Sequence, residues 1–216
     1  MQAPLAHIIN GQTFWLSAQR SLFWEDKKAL ILSDVHLGKS GHFRKAGIAV
    51  PQAMLKEDMQ RLLTLLHYFK PEQLIVVGDF FHSDTNRELD FFKRWRQDFS
   101  YLKIRLVKGN HDVLPPEWYR EADVEVVEGQ LIIRDFCFTH ERFTADKTVY
   151  TFSGHIHPGV VVNGLGKQSL RFPCFYFTPT YGILPAFGTF TGTVAMRPNT
   201  EDTVFAIVNH SLIKLQ

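Results

Sequence analysis

Two kinds of apolar pattern alternate along the first half of the chain, and each predicts a different element. Ala29 to Ser33 (ALILS), Leu74 to Val77 (LIVV) and Ile104 to Val107 (IRLV) are short, mostly apolar runs, the pattern of strands buried on both faces. Between the first two, Met54, Leu55, Met59, Leu62, Leu63, Leu66 and Phe69 recur at spacings of three and four. That period predicts an amphipathic helix from Pro51 to Phe69, with proline in its first turn and Pro71 beyond its end. Leu89, Phe92, Trp95 and Phe99 predict a second helix over Arg87 to Phe99. Strand, helix, strand, helix, strand is the order of parallel βαβ units. Before them, Asn10-Gly11 is a hairpin signal between strand-like segments, with Thr13 to Leu16 and Ser21 to Trp24 extended and Glu25 to Lys28 turning the chain again. After about residue 123 the helical period gives way to short β segments, which predicts a second, mostly antiparallel sheet packed on the first.

Composition narrows the class without naming a partner. A chain of 216 residues, 45% apolar and free of repeats or linker-like tracts, fits one domain over residues 1–216. With 24 basic against 22 acidic residues, bulk charge announces neither nucleic acid nor membrane. Cys137 and Cys174 both sit in apolar runs and read as reduced, buried thiols. No signal-peptide pattern and no apolar stretch of about 18 residues is present, so the expectation is a cytoplasmic protein with no membrane partner.

The polar residues at the ends of the apolar runs change the picture. Asp34-Val35-His36 follows ALILS, Gly78-Asp79-Phe80-Phe81-His82 follows LIVV, and Gly109-Asn110-His111-Asp112 follows the third run after Lys108. His140 follows FCFT, and Gly154-His155-Ile156-His157 ends FSGHIHP. Ligands of open α/β sheets bind at this strand edge, so five polar clusters meet on one rim. Alone, a D-x-H reads as a strand-end cap beside a core histidine, and Gly-Asn-His-Asp as an ordinary turn. Together they supply carboxylate, amide and imidazole donors without thiolate, a set suited to two divalent ions such as Mn²⁺, Fe²⁺ or Zn²⁺. Lys39, His42, Arg44 and Lys45, with Phe43 among them, lie just after the first cluster and could grip phosphates, or could be a solvated loop. His82 is either a further substrate contact or structural. Tyr176, Phe177, Phe187 and Phe190 could line a pocket or an interface between copies of the chain, though most such aromatics are core.

The ordered series D-x-H, G-D-x-x-H, G-N-H-D, H and G-H-x-H resembles the metallophosphoesterase, or calcineurin-like, superfamily, and it spans Asp34 to His157. The flanks HLGKSGHFRKAGIAVP and LPAFGTFTG are similar to a bacterial branch described as ligase-associated DNA damage response endonucleases, or ICC-like phosphoesterases. The resemblance implies a four-layer α-β-β-α sandwich of two packed mixed sheets with flanking helices. It implies one ion held by Asp34, His36, Asp79 and His157 and another by Asp79, Asn110, His140 and His155, with Mn²⁺ the leading candidate. His111 would be the general acid, with Asp112 holding its ring. The implied activity is phosphodiester hydrolysis by a DNA-repair nuclease, functionally associated with a DNA ligase or helicase. A small-molecule phosphoesterase using the same ions is the other reading.

Overall fold

Period-two alternation sorts the residues of the central strands onto two faces, and each face has a different partner. A computed structural model of the chain describes residues 2–39, 53–82, 87–141, 148–164 and 168–216, leaving aside the side chains of 53–55 and 87–88. The first sheet holds seven strands in chain order: β1 (Leu5–Ile9), β2 (Gln12–Ser17), β3 (Ser21–Trp24), β4 (Ala29–Leu32), β5 (Gln73–Val77), β6 (Lys103–Val107) and β7 (Val124–Val127). β1 to β4 pair antiparallel, as the hairpin signals predict, and β4 to β7 pair parallel. Register aligns Leu30 with Leu74, Leu74 with Ile104 and Ile104 with Val124, a continuous apolar row.

That row, with Leu32, Val76 and Leu106, packs under three helices. α1 (Ala53–Phe69) lays Met59, Leu62, Leu65 and Leu66 on it, and α2 (Arg87–Asp98) lays Leu89, Phe92 and Trp95. α3 (Pro116–Glu121) was not expected from the sequence, because six residues are too few to establish a helical period; it contributes Tyr119. The opposite face, with Ala29, Ile31, Ile75 and Val77, meets the second sheet in an aromatic core. There Phe14 lies 5.1 Å from both Phe136 and Phe152, ring centre to ring centre, and Trp24 lies 5.0 Å from Phe136.

The second sheet comprises β8 (Gln130–Ile133), β9 (Phe136–Thr139), β10 (Tyr150–Ser153), β11 (Pro158–Asn163), β12 (Ser169–Phe177), β13 (Tyr181–Ile183), β14 (Val194–Ala195), β15 (Thr203–Val208) and β16 (Ser211–Lys214). The apolar pattern suggests mostly antiparallel pairing, but β10 runs parallel to both β9 and β13. Alternation records which face of a strand is buried and not its direction, so this mixed character is invisible in the pattern. Its consequence is functional: parallel β9 and β10 deliver their C-terminal loops to one edge. Among the described residues the helices lie on the first sheet, while Val160, Cys174, Tyr176, Ile183, Val204 and Ala206 form a small cluster of their own in the second. Cys137 and Cys174 are buried thiols, and Tyr176, Phe177 and Phe187 are core, whereas Phe190 is exposed. Among the described residues no helix is long and apolar enough to cross a membrane.

Candidate metal centre

Three parallel strands of the first sheet and two of the second end at the seam between the sheets, and each releases polar residues there. Asp34 and His36 leave β4, Asp79 and His82 leave β5, Asn110, His111 and Asp112 leave β6, His140 leaves β9, and His155 and His157 leave β10. Asp34, His36, Asp79, His155 and His157 all have φ between 50° and 65°. The left-handed region costs an L-residue roughly 1–2 kcal/mol, and such strain collects where surroundings must aim a side chain. Backbone hydrogen bonds hold the turns in place: Asp34 N–H donates to Gly78 O (3.0 Å) and His36 N–H to Asp79 O (2.9 Å).

The glycines before the ligands keep the loops close. A β-carbon on Gly78 would lie 1.9 Å from His140 Nδ1, and one on Gly154 would lie 2.6 Å from Asp34 Oδ2. Gly78 has φ +78° in this crowded place, whereas Gly11 has φ +73° with nothing within 4 Å of the added carbon. Gly11→Ala should therefore cost about 1–2 kcal/mol of stability and leave ion binding intact, whereas Gly78→Ala should displace His140 and lose one ion. Ion stoichiometry beside a denaturation curve for both variants checks the contrast.

Side-chain donors gather into two groups. In Asp34, His36 and His157 the ligand atoms lie within 4.8 Å of one another, and the same holds for Asp79, His140 and His155. His157 Nε2 is 3.2 Å from Asp34 Oδ1. Asp79 Oδ2 stands between the groups, 3.9 Å from His36 Nε2 and 3.4 Å from His140 Nε2. Asn110 Oδ1 joins the second group at 3.0 Å from His140 Nε2, and His155 Nδ1 lies 3.2 Å from the same atom.

This crowding fits divalent cations. With His140 Nδ1 against the Val77 carbonyl (3.3 Å), its Nε2 faces the lone pairs of an amide, a carboxylate and a second imidazole. Lone pairs aimed at one point repel unless a cation lies among them. Burial disfavours a protonated His140, yet its hydrogen bond to Asp79 and the charges of Asp79 and Asp34 raise its pKa, so a proton is drawn to where a metal would sit. Among the described residues His36 Nε2 is buried without a hydrogen-bond partner, as fits a nitrogen that ligates a cation. Burial, reinforced by Lys39, lowers the His36 pKa to about 2, which keeps the ring in its neutral, ligating form. Burial works against ionised Asp79, but His140, the His111 amide and His36 outweigh it and hold the carboxyl at about 2.

The remaining candidates surround these groups. His111 is half-buried; its amide donates to Asp79 Oδ1 (2.9 Å), and its ring lies 5.4 Å from that of His36 and 4.3 Å from that of His82. Asp112 differs from expectation. Its two oxygens accept from the amides of Phe81 and Gly109, each at 2.9 Å, and among the described residues it makes no hydrogen bond to the His111 ring. Fully buried, it ties the β5 and β6 loops together, and burial, only partly offset by those two amides, pushes its carboxyl up to about 7. His82 Nδ1 lies 3.2 Å from His36 Nδ1, an arrangement that leaves His36 Nε2 for the metal. Lys39 is half-buried and in electrostatic reach of Asp79 and Asp34. His42, Arg44 and Lys45 lie outside the described residues. The Val77 carbonyl against His140 was not foreseen, because main-chain groups leave no mark in a sequence.

A family model described as calcineurin-like phosphoesterase matches residues 27–173, which include every residue of both groups. The crystal structure of the nuclease MPE of Pseudomonas putida is similar over 98% of this chain and 100% of its own, with a TM-score of 0.85 and 30% identity. The E. coli phosphoesterase Yfce aligns over 86% of this chain and 96% of its own at 14% identity and a TM-score of 0.43. No curated protein matches the chain.

Proposed function

The chain belongs to the calcineurin-like phosphoesterase family, a metal-dependent phosphoesterase, and on that premise we propose that its substrate is the phosphodiester backbone of nucleic acid, with a role in DNA repair. The observation that carries this reading is a pair of donor groups sharing Asp79, in a chain that resembles a bacterial nuclease along almost its whole length. Asp34, His36, Asp79 and His157 would hold one ion, and Asp79, Asn110, His140 and His155 the other; these oxygen and imidazole donors suit Mn²⁺, Fe²⁺ or Zn²⁺, of which Mn²⁺ is the ion proposed. When bound, two such ions supply an activated water and stabilise charge on phosphoryl oxygens.

The chain's own residues do the rest. The His111 ring, near both groups but in neither, donates a proton to the departing alkoxide. Lys39 adds positive charge at the rim, and Arg44 and Lys45, which continue the basic stretch in the sequence, would take hold of neighbouring phosphates. A functional link to a DNA ligase or helicase in a cytoplasmic repair pathway belongs to the same reading.

The test compares a labelled oligonucleotide with a small chromogenic diester. Chelator should abolish both activities, and Mn²⁺ should restore them better than Zn²⁺. Neutralising Lys39, Arg44 and Lys45 together should weaken oligonucleotide binding and flatten its salt dependence by about one counterion per lost contact. Hydrolysis of the small diester should hardly change. Absence of metal-dependent oligonucleotide cleavage in the unmodified protein would refute the nuclease reading and favour a small-molecule phosphoesterase.

A further inference from the structure

Asp34 is aimed by a strained backbone, and the segment that holds that backbone comes from the other end of the chain. Residues 186–189 run beside it. Phe187 N–H donates to Ser33 O (2.8 Å) and Gly188 N–H to Asp34 O (3.0 Å), while Ser33 pairs with Ala186 as an isolated parallel bridge. The fit is close: a β-carbon on Gly188 would lie 2.7 Å from Val35 O. Thus the Phe187 and Gly188 amides both hold the loop that carries Asp34.

Its remaining backbone groups face three charged side chains. Arg20, in the turn between β2 and β3, donates through Nη1 to Ala186 O (3.3 Å) and Gly188 O (3.1 Å). Arg61 on α1 donates to Phe187 O and lays its guanidinium 4.4 Å from the centre of the Phe187 ring. Asp58, one turn earlier, accepts from Thr189 N–H (3.2 Å) and from Arg61 Nη2 (2.7 Å). Asp58 is buried and Arg61 nearly so. Removing charged groups from water is costly, and here they satisfy four consecutive residues of a single segment.

We propose that Arg20, Asp58 and Arg61 are positioning residues for the Asp34, His36 and His157 ion, acting through the 186–189 segment to fix the backbone of Asp34. Among the described residues their side-chain hydrogen bonds go to that segment and to each other, and to none of the metal donors. The second group depends less on this brace: His140 is steadied by Val77 O and Asp79 by the His111 amide, and its link to Asp34 is the His155 amide, which donates to Oδ1 (3.2 Å) and Oδ2 (3.1 Å). Loss of the brace therefore weakens the Asp34, His36 and His157 ion more than the other. Partners one step removed from a metal ligand typically change affinity by about 10–100-fold, and that is the loss expected here.

The experiment titrates Mn²⁺ into the metal-free protein by calorimetry and electron paramagnetic resonance. Arg20→Met/Arg61→Met should bind one ion about 10–100-fold more weakly and the other with a clearly smaller loss, and a higher Mn²⁺ concentration should restore its phosphodiesterase activity. Arg96→Met is the control, since Arg96 is a buried arginine that binds Phe99 O and Asp123 Oδ2 (2.5 Å), neither of which carries a metal ligand. It should lower the melting temperature without changing either affinity. Should the double variant not fold, Arg20→Lys, which retains charge but not the forked guanidinium, should show the same unequal loss in smaller measure. Equal weakening of both ions, or unchanged affinity for both, overturns the proposal. The inference rests on the two-ion reading, and the unmodified protein tests that separately: fewer than two ions bound there removes both.

Discussion

Asp79→Asn is expected to cost the protein most of its bound metal and more than about 10³-fold of its hydrolysis, exceeding the roughly 10–100-fold attached to partners that lie outside the ligand set. The carboxylate has an oxygen facing His36 Nε2 on one side and His140 Nε2 on the other, so it belongs to both donor groups. Asparagine retains the shape but removes the anionic charge that two cations would share. The main-chain bond from His36 N–H to Asp79 O does not depend on the side chain, so the fold should persist. Metal analysis, circular dichroism and single-turnover hydrolysis together decide the matter. Two ions per chain in a folded, active variant would exclude the shared-ligand assignment.

His111→Ala should retain both ions yet slow turnover by about 10²–10⁴-fold on substrates with poor leaving groups. Its tie to Asp79 Oδ1 is made by the backbone amide, which alanine keeps. Its ring lies outside both donor groups, so truncation removes a proton donor and no ligand. A nitrophenolate departs without needing a proton, and with that substrate the loss should shrink by at least about tenfold. If both substrates suffer equally, the ring acts on charge alone.

The parallel strands, the two long helices and the polar clusters after each strand were legible because they depend on local period and order. Leu30, Leu74 and Ile104 announce a buried row by their apolar neighbours, and Asp34, Asp79 and Asn110 announce an edge by following such runs. The parallel course of β10 was not legible, since Tyr150 to Ser153 alternates alike in either direction. Nor was the left-handed backbone at Asp34, His36, Asp79, His155 and His157, which long-range contacts impose against intrinsic preference. At Asp112 proximity in sequence misleads: beside His111, it points away, to the amides of Phe81 and Gly109. Arg20, Asp58 and Arg61 look like ordinary turn and helix charges in the sequence, because the segment they hold lies more than 120 residues away.

The centre also belongs to neither sheet. Asp34, His36, Asp79 and Asn110 come from the chain before the Glu128–Gly129 turn, and His140, His155 and His157 come from the chain after it. A chain severed at that turn would yield two fragments, each carrying part of both ion sites and the whole of neither. The first would also lack the 186–189 segment that steadies Asp34. Catalysis by mixed fragments would thus be a direct signal that the two halves had found each other in register.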